Sequence, residues 1–551
     1  MAPDLETPRA GAISRRTMTR LLAAGVAGGL ATPALAALAG ACAGNRPAPT
    51  GVRHRTVTYA LTTEPNLLNP PLSTLIIEGL VMSLLFPGLL RLRADGTLED
   101  HLAQSHAIED GGMSYRFQLR PGLRWEDGQP LTSHDWAFTH GVYVDPASGT
   151  QSSAGWDQVD RVETPDDRTV VVRMKEPFAP ILLYVGCGPV LPEHVLSATR
   201  DLTRSAFNRR PVGCGPFKLA RWDTASQIVL EANERYYRGR PRLDQFIFRI
   251  VPDAETQLNE LRAGEVDIVN ITAASLWEEA RSLAPGIATV SYDDTKYQMV
   301  AYVEYEFLKE VMVRQALDYA TPKRDIVSAI MRGLATVAYG DVPPGSTYFD
   351  PTVEHHDYDL DRARRLLSQA GFTLRDGVQV RDGRPLVVPI YTRAVSPTLV
   401  QVAAVLKQRW EQIGVRTGDV IAMPDATLFS ASGPLWSGKD AVALYGYGQG
   451  PDPYDYTNWS SAQIPADPDA PGNNLGRYAN PELDLLLVQG GRTTDNAARK
   501  AVYSRIQQIL AHDVPVTFLY WPKTLYAYSS TLADFHPNVF TGPLWNADTW
   551  T

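Results

Sequence analysis

Alternating apolar and polar positions predict strands at Thr56–Leu61, 115–119, Thr169–Met174, 227–231 and 246–251. The last of these, Phe-Ile-Phe-Arg-Ile-Val, carries the β-branched and aromatic residues that suit a buried strand. Apolar residues spaced three and four apart predict helices at 255–263, 313–333, 360–370, 397–413 and 496–512. The helix at 360–370 opens on Asp359 and Asp361 and ends at Ala370-Gly371, which are start and stop signals. Strands and helices alternate without the strict spacing of a barrel, so the fold class is mixed α/β.

The first fifty residues follow another pattern. Ser14-Arg15-Arg16-Thr17-Met18 precedes an uncharged run, 21–42, nominally long enough to cross a bilayer. The run is mostly Ala and Gly with Thr32-Pro33 in its middle, so it reads as a signal peptide and not as a permanent span. Arg15-Arg16, with Met18 two positions on, resembles a twin-arginine export signal. A plain secretory signal with two adjacent arginines is the alternative. Leu38-Ala39-Gly40-Ala41-Cys42 resembles a lipoprotein box with Cys42 as the lipidated residue, although Leu38 stands four before the Cys where the box prefers three. The competing reading is cleavage after Ala34-Leu35-Ala36 and release of a soluble protein. Residues 43–52 are small, polar and proline-containing, which suits a tether.

Composition places the rest among folded proteins. The chain has 551 residues, 44% hydrophobic and 21% charged, enough for more than one lobe. Its net charge is −9, and residues 1–42 hold Arg9, Arg15, Arg16 and Arg20 against only Asp4 and Glu6, so the remainder is more acidic still. Such a surface has no electrostatic footprint for nucleic acid. Besides Cys42 there are Cys187 and Cys214, each in a Gly-Cys-Gly-Pro context. Outside the cytoplasm they are a candidate disulfide, with two small buried thiols as the alternative.

Motifs of catalysis are scarce. Residues 433–440 contain G-x-x-x-x-G-K, but Asp440 stands where a Ser or Thr would bind Mg²⁺. Glu354-His355-His356-Asp357 has metal-ligand residue types without the helical spacing that makes them converge, and reads as a solvated loop before the helix at 360. There is no G-x-S-x-G, H-E-x-x-H or C-x-x-C. No catalytic residue, metal or cofactor is assigned.

Six blocks in chain order carry a resemblance. They are Leu119-Arg120-Pro121-Gly122-Leu123-Arg124-Trp125-Glu126-Asp127-Gly128-Gln129-Pro130-Leu131-Thr132 with Asp135 after it; Pro211-Val212-Gly213-Cys214-Gly215-Pro216-Phe217; 233–243; Leu261-Arg262-Ala263-Gly264-Glu265-Val266-Asp267; Val313-Arg314-Gln315-Ala316-Leu317; and Asn473-Asn474-Leu475-Gly476 followed by 478–484. Together they resemble the extracellular solute-binding proteins of family 5, the dipeptide, oligopeptide and nickel-binding receptors of ABC importers. Most of these residues are turn and cap chemistry, such as Pro121-Gly122, Asp127-Gly128 and Gly264.

The resemblance implies a two-lobed periplasmic-binding-protein fold of the large type II, cluster C-like kind, with the ligand cleft between lobes. It places lobe I at 53–296 and 522–551 and lobe II at 297–521, with 296–305 and 518–528 as crossing strands. The implied function is an extracytoplasmic receptor that captures a peptide or peptide-like solute and delivers it to permease subunits. The implied protein is a lipid-anchored monomer in the periplasm or on the outer face of the cytoplasmic membrane. The alternative is a secreted hydrolase acting on peptides or glycosides. Three segments are expected to touch solute: Thr63, Glu64, Pro65 and Asn66 after the first strand; Tyr297 and Tyr302 in the crossing stretch; and Tyr445, Tyr447, Gln449, Asp452 and Trp459 in an aromatic, glycine-rich stretch. Peptide receptors of this family commonly place an Asp in the third segment, against the ligand's α-ammonium; here the position holds Gln449. Glu64 is then the nearest acid expected to substitute.

Overall fold

The computed structural model describes residues 55–551, apart from Ser152, Ala154, Glu304, Ala431, Ser437, Gly438, Gln449 and residues 467–471. The twelve strands of its large sheet are labelled β1–β12 in chain order. They are Thr56–Leu61, Phe217–Asp223, Gln227–Ala232, Gln245–Ile250, Ile268–Ile271, Ile287–Asp293, Lys296–Val303, Ala335–Val337, Ile390–Arg393, Ile421–Met423, Ala441–Gly448 and Val516–Ser529. Their order across the sheet is β10-β9-β11-β7-β12-β5-β1-β4-β3-β2, and β6 and β8 also pair with β12. A separate four-stranded sheet contains Ala103–Glu109, Ser114–Leu119, Thr169–Met174 and Val159–Asp166.

β12 organises the molecule. Its first stretch pairs antiparallel with β7, Val516 opposite Ala301 and Phe518 opposite Met299. Its last stretch pairs with β5 and β6, Leu525 opposite both Ile271 and Ser291. β6 and β7 follow each other directly, so the chain passes from one half to the other beside β12, which makes the same passage in the opposite direction. The apolar clusters divide accordingly. Val57, Phe246, Ile268, Tyr526, Phe535 and Trp550 belong to one, which brings the C-terminal tail back to the first half. Val300, Leu317, Val402, Trp410, Leu444 and Leu519 belong to another. The fold is that of a two-lobed periplasmic binding protein.

The quoted blocks hold the lobes' interiors. Trp125 is fully buried, and Gly122 and Gly128 on either side of it have φ of 74° and 98°, the left-handed region. Glu126 accepts a hydrogen bond from Gly213 N at 2.9 Å and its own N–H reaches Gly213 O at 2.9 Å, so the first block clamps the second. A Cβ on Gly213 or Gly215 would lie 2.4 Å or 2.3 Å from a backbone carbonyl oxygen of Leu85 or Leu84, so only glycine fits.

Three expectations need correction. Cys187 and Cys214 are free thiols and do not form a disulfide. Burial in the apolar cluster they share pushes the Cys187 thiol up to about 12 and raises Cys214 as well, which keeps both protonated. The helix expected at 313–333 is interrupted. Val311–Tyr319 ends before Pro322, whose missing N–H cannot continue the ladder, and Lys323–Asp325 and a π turn at Ile326–Ile330 follow. His356 is not solvated: it is buried, with Nδ1 3.0 Å from Asp318 Oδ2, and Lys323 Nζ lies 3.0 Å from the same carboxylate. The other expected helices stand at Ala254–Ala263, Leu360–Gln369, Pro397–Gln412 and Asn496–Asp513, the first closed by Gly264 at φ 72°.

Candidate functional site

Side chains on a strand alternate between faces, and residues directly opposite on paired strands share one. β7 pairs with β11 so that Tyr297 faces Tyr447, Met299 faces Tyr445 and Ala301 faces Ala443. Tyr297, Met299, Tyr445 and Tyr447 therefore share a face. With Asn458 and Trp459 they line a cavity of about 300 Å³, which the 473–476 stretch and Val516 complete. The Tyr297 ring meets Tyr447 edge-on at 6.1 Å and Trp521 at 5.1 Å, so the wall is a braced set of rings and not a loose surface. The cavity is at the small end for ligand sites and suits one side chain or a compact group.

Two larger cavities draw on both halves of the chain. One, of about 690 Å³, takes Leu92, His106 and Tyr115 from the first half and Tyr348, Asp452 and Lys500 from the second. The other, of about 630 Å³, lies between Phe178 and Tyr184 on one side and Tyr454 and Tyr456 on the other. The halves also touch directly: Ala179 N donates to Gly491 O at 2.7 Å, Phe178 packs edge-on against Tyr454 at 5.3 Å, and Glu176 pairs with Arg492.

The expected residues divide sharply. Tyr297, Tyr445, Tyr447 and Trp459 come together in the smallest of the three cavities. Tyr302 does not join them. It stands five residues from Tyr297, hence on the opposite face of β7, where its hydroxyl is 2.6 Å from Thr517 Oγ1 inside the lobe core. Asp452 borders the 690 Å³ cavity, but its carboxylate is held bidentately by the buried Arg499 at 2.7 Å on each oxygen. Thr63, Glu64, Pro65 and Asn66 line none of the three cavities. Glu64 accepts from the Trp222 indole at 2.7 Å and from Ala225 N at 2.9 Å, with Arg209 stacked over Trp222 and 3.6 Å from the same carboxylate. It serves its own lobe. Gln449 and Cys42 lie outside the described residues.

Two functional candidates escaped the sequence. Asp341 follows β8, and Asp455 caps the short helix Tyr456–Trp459; both are buried. Trp459 donates its indole N–H to Asp341 Oδ2 at 3.0 Å, and Asn458 donates its amide to Asp455 Oδ1 at 2.7 Å. Asp341 Oδ1 and Asp455 Oδ2 have no hydrogen-bond partner. Burial pushes the Asp341 carboxyl up to about 6. Burial, reinforced by the neighbouring Asp341, holds Asp455 well above the usual carboxylate range. Aspartates 114 residues apart leave no common motif; only Asn458-Trp459, adjacent and both polar-tipped, hinted at a built site.

Two lobes joined by paired crossing strands, with an aromatic cavity beside the crossing, define a solute-binding protein. The model of the bacterial extracellular solute-binding proteins, family 5 Middle, matches residues 97–465, and the chain belongs to that family. It is 28% identical over 500 residues to the oligopeptide-binding protein AppA of Bacillus subtilis, covering 88% of this chain and 90% of that one. The structure of that AppA in complex with a nonapeptide superposes with a TM-score of 0.71 at 25% identity, over 90% of this chain and 98% of that one. NikZ of Campylobacter jejuni in complex with Ni(L-His) superposes with a TM-score of 0.75 at 26% identity, over 91% and 100% of the two chains.

Proposed function

We propose that this protein is the extracytoplasmic receptor of an ABC importer, and that it captures a peptide or peptide-like solute between its lobes and hands it to the permease without changing it. Lobe I comprises 53–296 and 522–551, and lobe II comprises 297–521. The ring-lined cavity on the β7–β11 face carries this reading. Aromatic faces accept varied apolar groups, while Asn458 and Asn473 beside them bring amides that can hydrogen-bond a backbone. The relative AppA, solved with a nonapeptide, supports the peptide class. Hydrolysis is disfavoured because the two thiols of the folded region are kept protonated by burial and the cavity wall is tyrosine, tryptophan and amide. Residues 1–42 are read as an export signal of the twin-arginine type ending at a lipidated Cys42, with 43–52 as the tether.

The test is incubation with a mixture of short peptides, followed by mass spectrometry of what is retained. Retention of intact peptides, with a rise in melting temperature that grows with peptide concentration, is the expected result. Products smaller than the input peptides would favour the hydrolase instead. Fatty-acid labelling that survives Cys42→Ser would remove the anchor from the proposal.

A further inference from the structure

A fourth cavity, of about 330 Å³, shares no wall residue with the aromatic one on β7 and β11. The first half of the chain and the C-terminal tail enclose most of it. Leu90, Phe540 and Leu544 are among its apolar walls, and Arg91, His101 and Asp548 bring polar groups to it. Pro451 reaches it from the second half of the chain.

His101 is the informative wall residue. It is 7% exposed, and its ring nitrogens are not equally served. Nε2 lies 3.2 Å from the Tyr236 hydroxyl, while Nδ1 has no hydrogen-bond partner in the protein. A buried polar atom left so carries a desolvation penalty that a hydrogen-bonding ligand would remove. The charges that act on the ring are of one sign. Burial holds the imidazole well below its usual range, and Arg91, Arg238 and Arg120 push it further down. No carboxylate among the described residues pushes it back.

The ion pairs account for this imbalance. Arg91, Arg93 and Arg238 share one carboxylate, Glu99. Arg120 donates to the backbone oxygens of His101 and Asp100, at 2.7 and 3.4 Å, and meets no carboxylate among the described residues. The remaining acids are engaged elsewhere: Asp548 lies 3.7 Å from Arg238, and Asp100 lies 2.7 Å from His106 Nδ1. Arg91 gives Nε to Glu99 and lies over the Trp545 ring at 5.9 Å, which leaves its two terminal nitrogens for a ligand.

We propose that this cavity is a separate binding site for a small organic carboxylate, in which Arg91 and His101 receive the carboxylate and the apolar walls take the body. Burial keeps the Tyr236 hydroxyl protonated, so it donates to His101 Nε2 and leaves Nδ1–H to donate to the ligand. The volume suits a compact acid with one ring or a short chain. Capture of a solute between the lobes does not require this site. An occupant would nevertheless touch Pro451, one residue before Asp452, and so abut the loop that runs to the aromatic cavity.

The experiment uses the full chain and two probes of one shape, phenylacetate and the uncharged phenylacetamide. Calorimetry of the wild type is expected to show saturable binding of phenylacetate, about tenfold tighter than the amide, the scale of one charge-assisted contact in a partly desolvated site. Arg91→Met is expected to bring the two probes to about equal affinity. Thr541→Trp, which puts a large ring into the cavity wall, is expected to abolish binding of both. Phenylacetate affinity is expected to stay the same when the protein is first saturated with short peptides freed of single amino acids. No saturable binding by the wild type, or equal binding of acid and amide, overturns the site without any variant. A preference that survives Arg91→Met, or binding that survives Thr541→Trp in a folded protein, overturns it as well. Displacement of phenylacetate by the peptides overturns its separateness, because the carboxylate received would then be the solute's own terminus.

Discussion

Asp452 and Asp455 lie on one loop and are both buried, yet they live in opposite electrostatic worlds. Asp452 meets Arg499 through two hydrogen bonds of 2.7 Å, and Arg499 also donates to Gly490 O at 2.8 Å, so the charge is neutralised and the loop is tied to Asn496–Asp513. Asp455 meets no cation among the described residues: its neighbours are the Asn458 amide, the Trp459 indole and a second acid. The first arrangement spends its charge on holding the protein together. The second holds a proton, because burial beside another acid disfavours the charged form. The contrast separates a carboxylate that an arginine keeps charged from one that burial keeps protonated.

The comparison breaks most visibly at Arg499. Arg499→Met leaves Asp452 buried without a partner, and urea denaturation should show a loss of about 3–5 kcal/mol. The unpaired side responds to pH. The Asp341 carboxyl is raised to about 6 in the folded chain, so the folded state keeps a proton that the unfolded chain has released. Stability is then highest below the unfolded pKa, falls as pH rises from about 4 to about 6, and levels off above it, by roughly 2–3 kcal/mol for this group. Asp341→Asn should flatten that slope in pH-dependent melting.

Smaller effects sharpen the two faces of β7. Tyr302→Phe removes the hydroxyl that meets Thr517, and should cost about 1–2 kcal/mol in stability with peptide affinity unchanged. Tyr447→Ala should do the reverse, weakening peptide binding about tenfold by calorimetry with little change in melting. Smallest is Glu64→Gln. It keeps the shape of a group bound to Trp222 and Ala225, so melting should drop by a degree or two and affinity for cationic peptides should not move.

The fold was legible because its blocks are made of turn chemistry, where glycine and proline act locally. The Gly213–Gly215 approach to Leu84 and Leu85 is the clearest case. Strand and helix positions followed from period, and failed at Pro322, where one missing donor outweighed an otherwise helical pattern. Half of the aromatic site was legible too, because Tyr445 and Tyr447 are two apart and so share a face. Tyr302 was misjudged although the same parity argument excludes it once Tyr297 is chosen. Glu64 could not be placed, because its partners Trp222, Ala225 and Arg209 lie in distant sequence. The acid pair was invisible for the same reason. Nothing local distinguishes Asp455, with one oxygen unpartnered, from Asp452, paired with an arginine 47 residues on.

β12 has a consequence for how the chain is built. One strand completes the sheet on both sides of the crossing, and it comes after residue 515 in the order of synthesis. Until it emerges, β7 lacks its neighbour in one lobe while β5 and β6 lack theirs in the other. The nascent protein therefore cannot finish one lobe and then begin the next. Both remain open-edged until the same fourteen residues arrive, and both close in one event. A ribosome stalled short of Val516 would leave two unfinished halves rather than one good domain and a stub.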